Sequence, residues 1–341
     1  MSTKPKLVIG ANGFLGSHVT RRLVADGAEV RAMVRPTANT RAIDDLAITR
    51  FHGDVFDTAA LRAAMDGVDD VYYCVVDTRA WLRDPSPLFR TNVEGLRNVV
   101  DVAIKEPGLR RFIFTSTYAT VGRRHGHVAT EEDVIGSRGL TPYVQSRVQA
   151  EDLVMRYVAD AGLPAIAMCV STTYGSGDWG RTPHGAFIAG AVFGKLPFSM
   201  NGIQLEVVGV DDAARALLLA AARGRNGERY LISERMMPLK DVVKIAADEA
   251  GVPPPRRSIS VPALYGLGAL GSLRARLTGK DAELSLASVR MMRAEAPVDH
   301  SKARRELGWE PRPVEESIRE AARFWAGLKN ARPNSKAAPS E

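Results

Sequence analysis

Short apolar runs alternate with helical patterns along the first two thirds of the chain. Runs rich in Val, Ile, Phe and Tyr at 6–10, 29–34, 49–51, 70–76, 111–115 and 165–170 end in turn residues or a helix start, which predicts strands. Between them, apolar positions at helical spacing predict helices over 14–26, 58–65, 87–104 and 143–161. Strands and helices alternating at this length imply parallel pairing through right-handed crossovers. The expected architecture is therefore α/β, with a doubly wound parallel sheet.

After Tyr174 the rhythm breaks. "YGSGDWGRTPHGAF" is rich in Gly and Pro, and clear helical patterns return only at 209–224, 238–251 and 310–328. This predicts a smaller C-terminal lobe over the carboxyl edge of the sheet, where open α/β sheets bind ligands. The expected division is a nucleotide-binding unit at 1–173, to which 205–224 returns, a substrate lobe at 174–328, and a disordered polar tail at 329–341. A length of 341 residues suits one large unit with an accessory lobe.

The net charge of +7 does not change this picture, because Lys and Arg are scattered rather than run together. A basic surface that draws in anionic ligands is expected, and nucleic acid is not. Cys74 and Cys169 lie inside the apolar runs "VYYCVV" and "AIAMCV" and read as reduced core thiols. Together with an N-terminus lacking a signal pattern, they point to a cytoplasmic protein. The apolar stretch "VPALYGLGALGSL" (261–273) falls short of the ~20 residues that span a bilayer. It reads as a lid or part of the substrate lobe, so stable membrane insertion is not expected. His125 and His127 have no carboxylate or cysteine cluster beside them, and no metal site is expected.

The chemistry begins at "KLVIGANGFLGSHV", where Gly10, Gly13 and Gly16 run from the first strand into the first helix. A backbone that turns tightly, approaches a pyrophosphate and packs its helix on the sheet needs glycine there, and the free helix N–H groups face the anion. This identifies a Rossmann-type dinucleotide site, with Asn12, Phe14 and Leu15 as the other loop contacts. An acid at the end of the second strand would hold a ribose 2′-hydroxyl and repel a 2′-phosphate. This chain has Arg35 there, with Arg31, Thr37 and Arg41 nearby, which predicts NADP(H). Asp54, followed by Val55, reads equally as an acceptor for the adenine amino group and as a turn cap.

In "TPYVQSRVQAE", Thr141 and Pro142 suit the cap and first turn of a helix, placing Tyr143 and Arg147 on one face at i and i+4. A nearby fixed cation favours a phenolate, so the pair suits proton transfer.

Taken with "HGDVFD", "RTNVEGLRNVVDVA", "RFIFTSTYATVG", "VGVDDAARA" and "DHSKARRELGWEPRPVEESI", the chain over about 5–327 resembles the extended short-chain dehydrogenase/reductases. The likeness is to the branch of dihydroflavonol 4-reductases and 3β-hydroxysteroid dehydrogenases. The resemblance implies a Ser/Thr–Tyr–Lys apparatus working with NAD(P)H. Its hydroxyl falls on Thr117, with Ser116 as the adjacent alternative, its tyrosine on Tyr143 and its lysine on Arg147. It also implies a homodimer through the helices at 87–104 and 143–161. Leu96 replaces a common Thr, and Cys169-Val170 a common Arg-Pro. The expected activity is hydride transfer between NADP(H) and a hydrophobic ketone, aldehyde or secondary alcohol, of a steroid- or flavonoid-like class. The alternatives are a nonenzymatic NADP(H) sensor and an NAD-dependent sugar epimerase or dehydratase.

Overall fold

The computed structural model describes residues 4–122, 126–136, 139–293 and 297–330. The first six strands are β1 (Lys6–Ile9), β2 (Val30–Val34), β3 (Thr49–His52), β4 (Asp70–Tyr73), β5 (Arg111–Thr117) and β6 (Ala165–Val170). A seventh, Arg229–Ile232 (β10 in chain order), completes a parallel sheet of order β10-β6-β5-β4-β1-β2-β3. The chain leaves β1 toward β2 and β3, then crosses back to β4. The resulting switch point beside β1 opens a crevice at the carboxyl ends of the strands.

Side chains alternate across this sheet. Val8, Ala32, Tyr72, Ile113 and Ile166 pack under α1 (Phe14–Ala25) and α7 (Val210–Arg223). Leu7, Met33, Val71, Phe112 and Phe114 pack under α2 (Thr58–Met65), α4 (Leu96–Ala103) and α5 (Pro142–Ala161). Burial on both faces is why these strands read as unbroken apolar runs. The helix expected at 87–104 is composite: α3 (Ser86–Phe89) runs through a π-helical turn at Arg90–Gly95 into α4. That turn directs Asn92 into the interior, fully buried. Helix α5 starts as the sequence indicates, with the Thr141 hydroxyl accepting the Val144 N–H and Pro142 in the first turn. It stops at Gly162, whose φ of 68° is left-handed.

The lobe holds a sheet of β7 (Thr172–Tyr174), β9 (Gln204–Gly209) and β11 (Arg235–Pro238), and a small pair of β8 (Ser199–Met200) with β12 (Ser258–Ile259). Around these lie α6 (Pro183–Val192), α8 (Leu239–Glu249), α9 (Val261–Thr278), α10 (Leu286–Arg293) and α11 (Val314–Asn330). The stretch at 261–273 lies within helix α9 of the lobe. Two expectations are corrected. The return to the nucleotide-binding unit extends past 224, because β10 pairs with β6. Of the expected tail, Lys329 and Asn330 belong to α11, and 331–341 lie outside the described residues.

Candidate active site

The expected site residues lie at the carboxyl ends of strands or on the helices beside them, with Asp54 and Val55 following the edge strand β3. Gly10 ends β1 with φ +83°, and a Cβ there would press on Val75 and the Cys74 backbone. A Cβ on Gly16 would overlap the Gly10 carbonyl oxygen, so helix α1 can approach the turn only with glycine at this position. Gly13 caps α1 without any side-chain hydrogen bond, and the first turn carries no acid. The free N–H groups there fit a pyrophosphate. The Asn12 amide donates to the Asn39 carbonyl (3.3 Å), which ties this turn to the loop after β2. Phe14 stands edge-on to His18, with ring centroids 5.7 Å apart, and Leu15 packs on the core.

Arg35 is exposed at the end of β2, close enough to Asp77 to help lower that carboxyl's pKa. Arg41 lies over the Trp179 ring at 5.8 Å. Arg31 faces elsewhere: it donates to the Ala64 and Asp66 carbonyls and stacks on Phe51. Asp54 caps its turn, one carboxylate oxygen accepting the Phe56 N–H at 2.7 Å, while its side chain stays exposed. Val55 is buried. His127 pairs with Asp133 at 2.9 Å, and His125 lies outside the described residues.

The residues expected to transfer a proton converge at the end of β5. The hydroxyl of Thr117 lies close enough to the Tyr143 phenol to help hold its pKa down. Ser116, its neighbour, points the other way and donates to the buried Glu151. Ser116 is thus turned into the core, while Thr117 is half-buried and its hydroxyl accepts the Ala119 N–H. Burial pushes the Tyr143 phenol above its ordinary pKa, while the Arg147 guanidinium and the Thr117 hydroxyl pull it part of the way back. The expected lowering is therefore overridden by desolvation, and the group is protonated at neutral pH.

Arg147 is 1% exposed. One of its nitrogens donates to the Thr115 carbonyl at 2.6 Å, and the guanidinium lies over the Phe114 ring at 5.1 Å. Its Nε and a second terminal nitrogen are buried without a protein partner, as is the Tyr73 hydroxyl on the adjacent strand. Buried donors of this kind call for an acceptor, and the hydroxyls of a nicotinamide ribose would supply one. The glycine cradle and these orphaned donors together fit a dinucleotide.

Sequence reasoning missed the supports. The Asn92 side chain accepts the Asp77 N–H (2.8 Å) and donates to the Asp77 carbonyl and the Ser146 hydroxyl. It thereby joins the loop after β4 to helix α5 one residue before Arg147. Burial favours the neutral Asp77 carboxyl, but the Arg79 guanidinium and backbone N–H outweigh it and hold the pKa low. Glu151 accepts from Ser116 and from Thr120 (2.9 Å) and pairs with Arg229 at 2.8 Å. A signal for these was available. Tyr143, Ser146, Arg147 and Glu151 recur at i, i+3, i+4 and i+8, so the inner face of α5 is a polar stripe in an otherwise apolar interface.

Burial raises the Cys74 thiol to about 11 and that of Cys169 to about 12, which leaves both as unreactive neutral thiols. No helix among the described residues is long and apolar enough to cross a membrane. No group of three or more His, Cys, Asp or Glu among them could hold a metal ion.

A model of the NAD dependent epimerase/dehydratase family matches residues 6–233. The chain is 28% identical over 309 residues to sterol demethylase protein B of Methylococcus capsulatus, covering 89% of this chain and 93% of that protein. It is 27% identical over 329 residues to a putative dihydroflavonol 4-reductase of Synechocystis sp., covering 93% of each. Among solved structures, gox2253 matches with a TM-score of 0.83 at 32% identity, over 96% of this chain and 98% of that one.

Proposed function

This chain belongs to the NAD-dependent epimerase/dehydratase family, the extended short-chain dehydrogenase/reductases, and from that premise we propose that it is an NADPH-dependent reductase of hydrophobic carbonyl compounds. The observation that carries the reading is the approach of Thr117 to Tyr143, with Arg147 one turn further along α5, above the switch point where the glycine turn lies. Gly10, Gly13 and Gly16 would hold the pyrophosphate, Arg35 the 2′-phosphate and Arg147 the nicotinamide ribose. Bound there, NADPH supplies a hydride to the carbonyl carbon.

The protein's own part is proton delivery and charge stabilisation. Thr117 donates a hydrogen bond to the carbonyl oxygen as negative charge grows there. Tyr143 gives that oxygen its phenolic proton, which completes the alcohol, and Arg147 stabilises the phenolate left behind. Arginine holds this charge without titrating, so the replacement proton reaches Tyr143 by a route other than the cation. A phenol that burial keeps protonated suits reduction better than oxidation. The hydrophobic substrate class is supported by two relatives, one named for sterol demethylation and one as a putative dihydroflavonol reductase.

The test is NADPH consumption over a panel of steroid, flavonoid and alkyl ketones, with sugar nucleotides as the contrast. Turnover of at least one hydrophobic ketone is expected, with kcat altered in Arg147→Lys. Tight NADPH binding with no turnover in either protein would overturn the reading. Arg35→Asp is expected to weaken NADPH binding by about tenfold or more and to leave NADH binding in place. Equal affinity for both nucleotides, unaffected by the substitution, would remove the basis for NADP(H).

A further inference from the structure

Helix α9 places its small residues inward and its large ones outward. Gly268 lies against Val289 and Ser285, and a Cβ on Gly271 would overlap the Leu284 carbonyl. Leu264 and Ala275 complete the buried side. On the opposite side Leu270, Leu273 and Leu277 are 63%, 52% and 79% exposed, and they are the exposed leucines among the described residues. Their spacing of i, i+3 and i+7 sets them on one face, which exposed Ala263 and Gly266 continue toward the N-terminus of the helix. Glycine weakens a helix, and leucine in water gains nothing from burial. Such a helix suits a face covered by an apolar medium.

The charge pattern selects the medium. From 250 to 280 the chain carries no Asp or Glu, while Arg256, Arg257, Arg274, Arg276 and Lys280 are all exposed. Arg274 follows Leu270 by four residues and Arg276 follows Leu273 by three, so cations flank the leucine stripe on both sides. Asp281, the first carboxylate beyond, accepts the Arg83 backbone N–H. A second copy of this chain docked through the same face would set each cation cluster against its own twin, which like-charge repulsion opposes. An anionic lipid surface meets both requirements at once: acyl chains for the leucines and headgroups for the arginines, whose long stems reach upward from an apolar boundary.

We propose that α9 seats this protein on an anionic bilayer surface, lying in the plane of the interface without crossing it. This attachment goes beyond the reading of the active site and does not depend on it.

The experiment is co-sedimentation of the full chain with vesicles of phosphatidylcholine alone and of phosphatidylcholine mixed equally with phosphatidylglycerol. Binding to the mixed vesicles, weakened by salt, is expected. Leu273→Gln/Leu277→Gln and Arg274→Gln/Arg276→Gln are each expected to lower the partition by about tenfold or more, with an unchanged urea-unfolding midpoint as the sign of an intact fold. Absence of binding to mixed vesicles at low ionic strength would overturn the proposal, as would binding insensitive to either variant. A concentration-dependent dimer that the leucine variant abolishes would assign the face to a second copy and overturn it as well.

Discussion

Tyr143→Phe is expected to keep NADPH affinity and to lose carbonyl turnover by about a thousandfold, the scale of a general acid removed from a positioned site. The phenol stands half-buried at the start of α5, and its ring has room to remain when the oxygen is gone. What disappears is the proposed proton donor, beside the Thr117 hydroxyl. Stopped-flow NADPH binding and steady-state reduction of an active ketone, measured on the same preparation, separate the two effects. Turnover within a few-fold of wild type would mean that another group delivers the proton. Loss of nucleotide binding as well would give Tyr143 a place in the cofactor site and leave its acid role without support.

Arg229→Met is expected to destabilise the protein by about 3 kcal/mol, the scale for removing one partner of a buried ion pair. Glu151 is 6% exposed and keeps only neutral donors, the Ser116 and Thr120 hydroxyls and the Cys169 thiol, when the guanidinium 2.8 Å away is removed. The double substitution Glu151→Gln/Arg229→Met leaves no charge behind and is expected to recover most of the loss. Urea unfolding of the two singles and the double measures this coupling. A double variant destabilised by the sum of its singles would show that the pair is not what matters. The position is also consequential for the site, since Glu151 grips the residues on either side of Thr117–Ala119, where β5 passes into its terminal turn.

The parallel sheet and its helices were legible because both faces of its central strands are covered, so those strands are mostly apolar and each crossover helix carries one apolar stripe. Gly10, Gly16 and Tyr143 were legible for a different reason: backbone conformation or chemistry restricts the residue type at each. Strand β10 was not, since "RYLI" is four residues long and its partner β6 lies across the whole first half of the lobe. Helix α9 escaped recognition because its glycines weaken the helical signal and its leucines sit where polar residues are expected. Arg31 and Arg35 look alike in the sequence, and only the approach of α2 decides that one serves helix carbonyls and the other faces solvent. Thr117 stood ahead of Ser116 only through the resemblance, because the strand's pleat, which sends neighbouring side chains to opposite sides, is not legible in the residues themselves.

The late arrival of α7 and β10 also sets an order on biosynthesis. As the chain leaves the ribosome, the first six strands emerge with β6 as an open edge and one sheet face lacking the helix that packs beside α1. The helix is complete at Arg223, but the edge stays unpaired until Ile232 has been made, through the synthesis of about sixty further residues, several seconds at ordinary elongation rates. A period of edge exposure during translation is thus written into the path of the chain, as a consequence of lending a late strand to a sheet begun at residue 6.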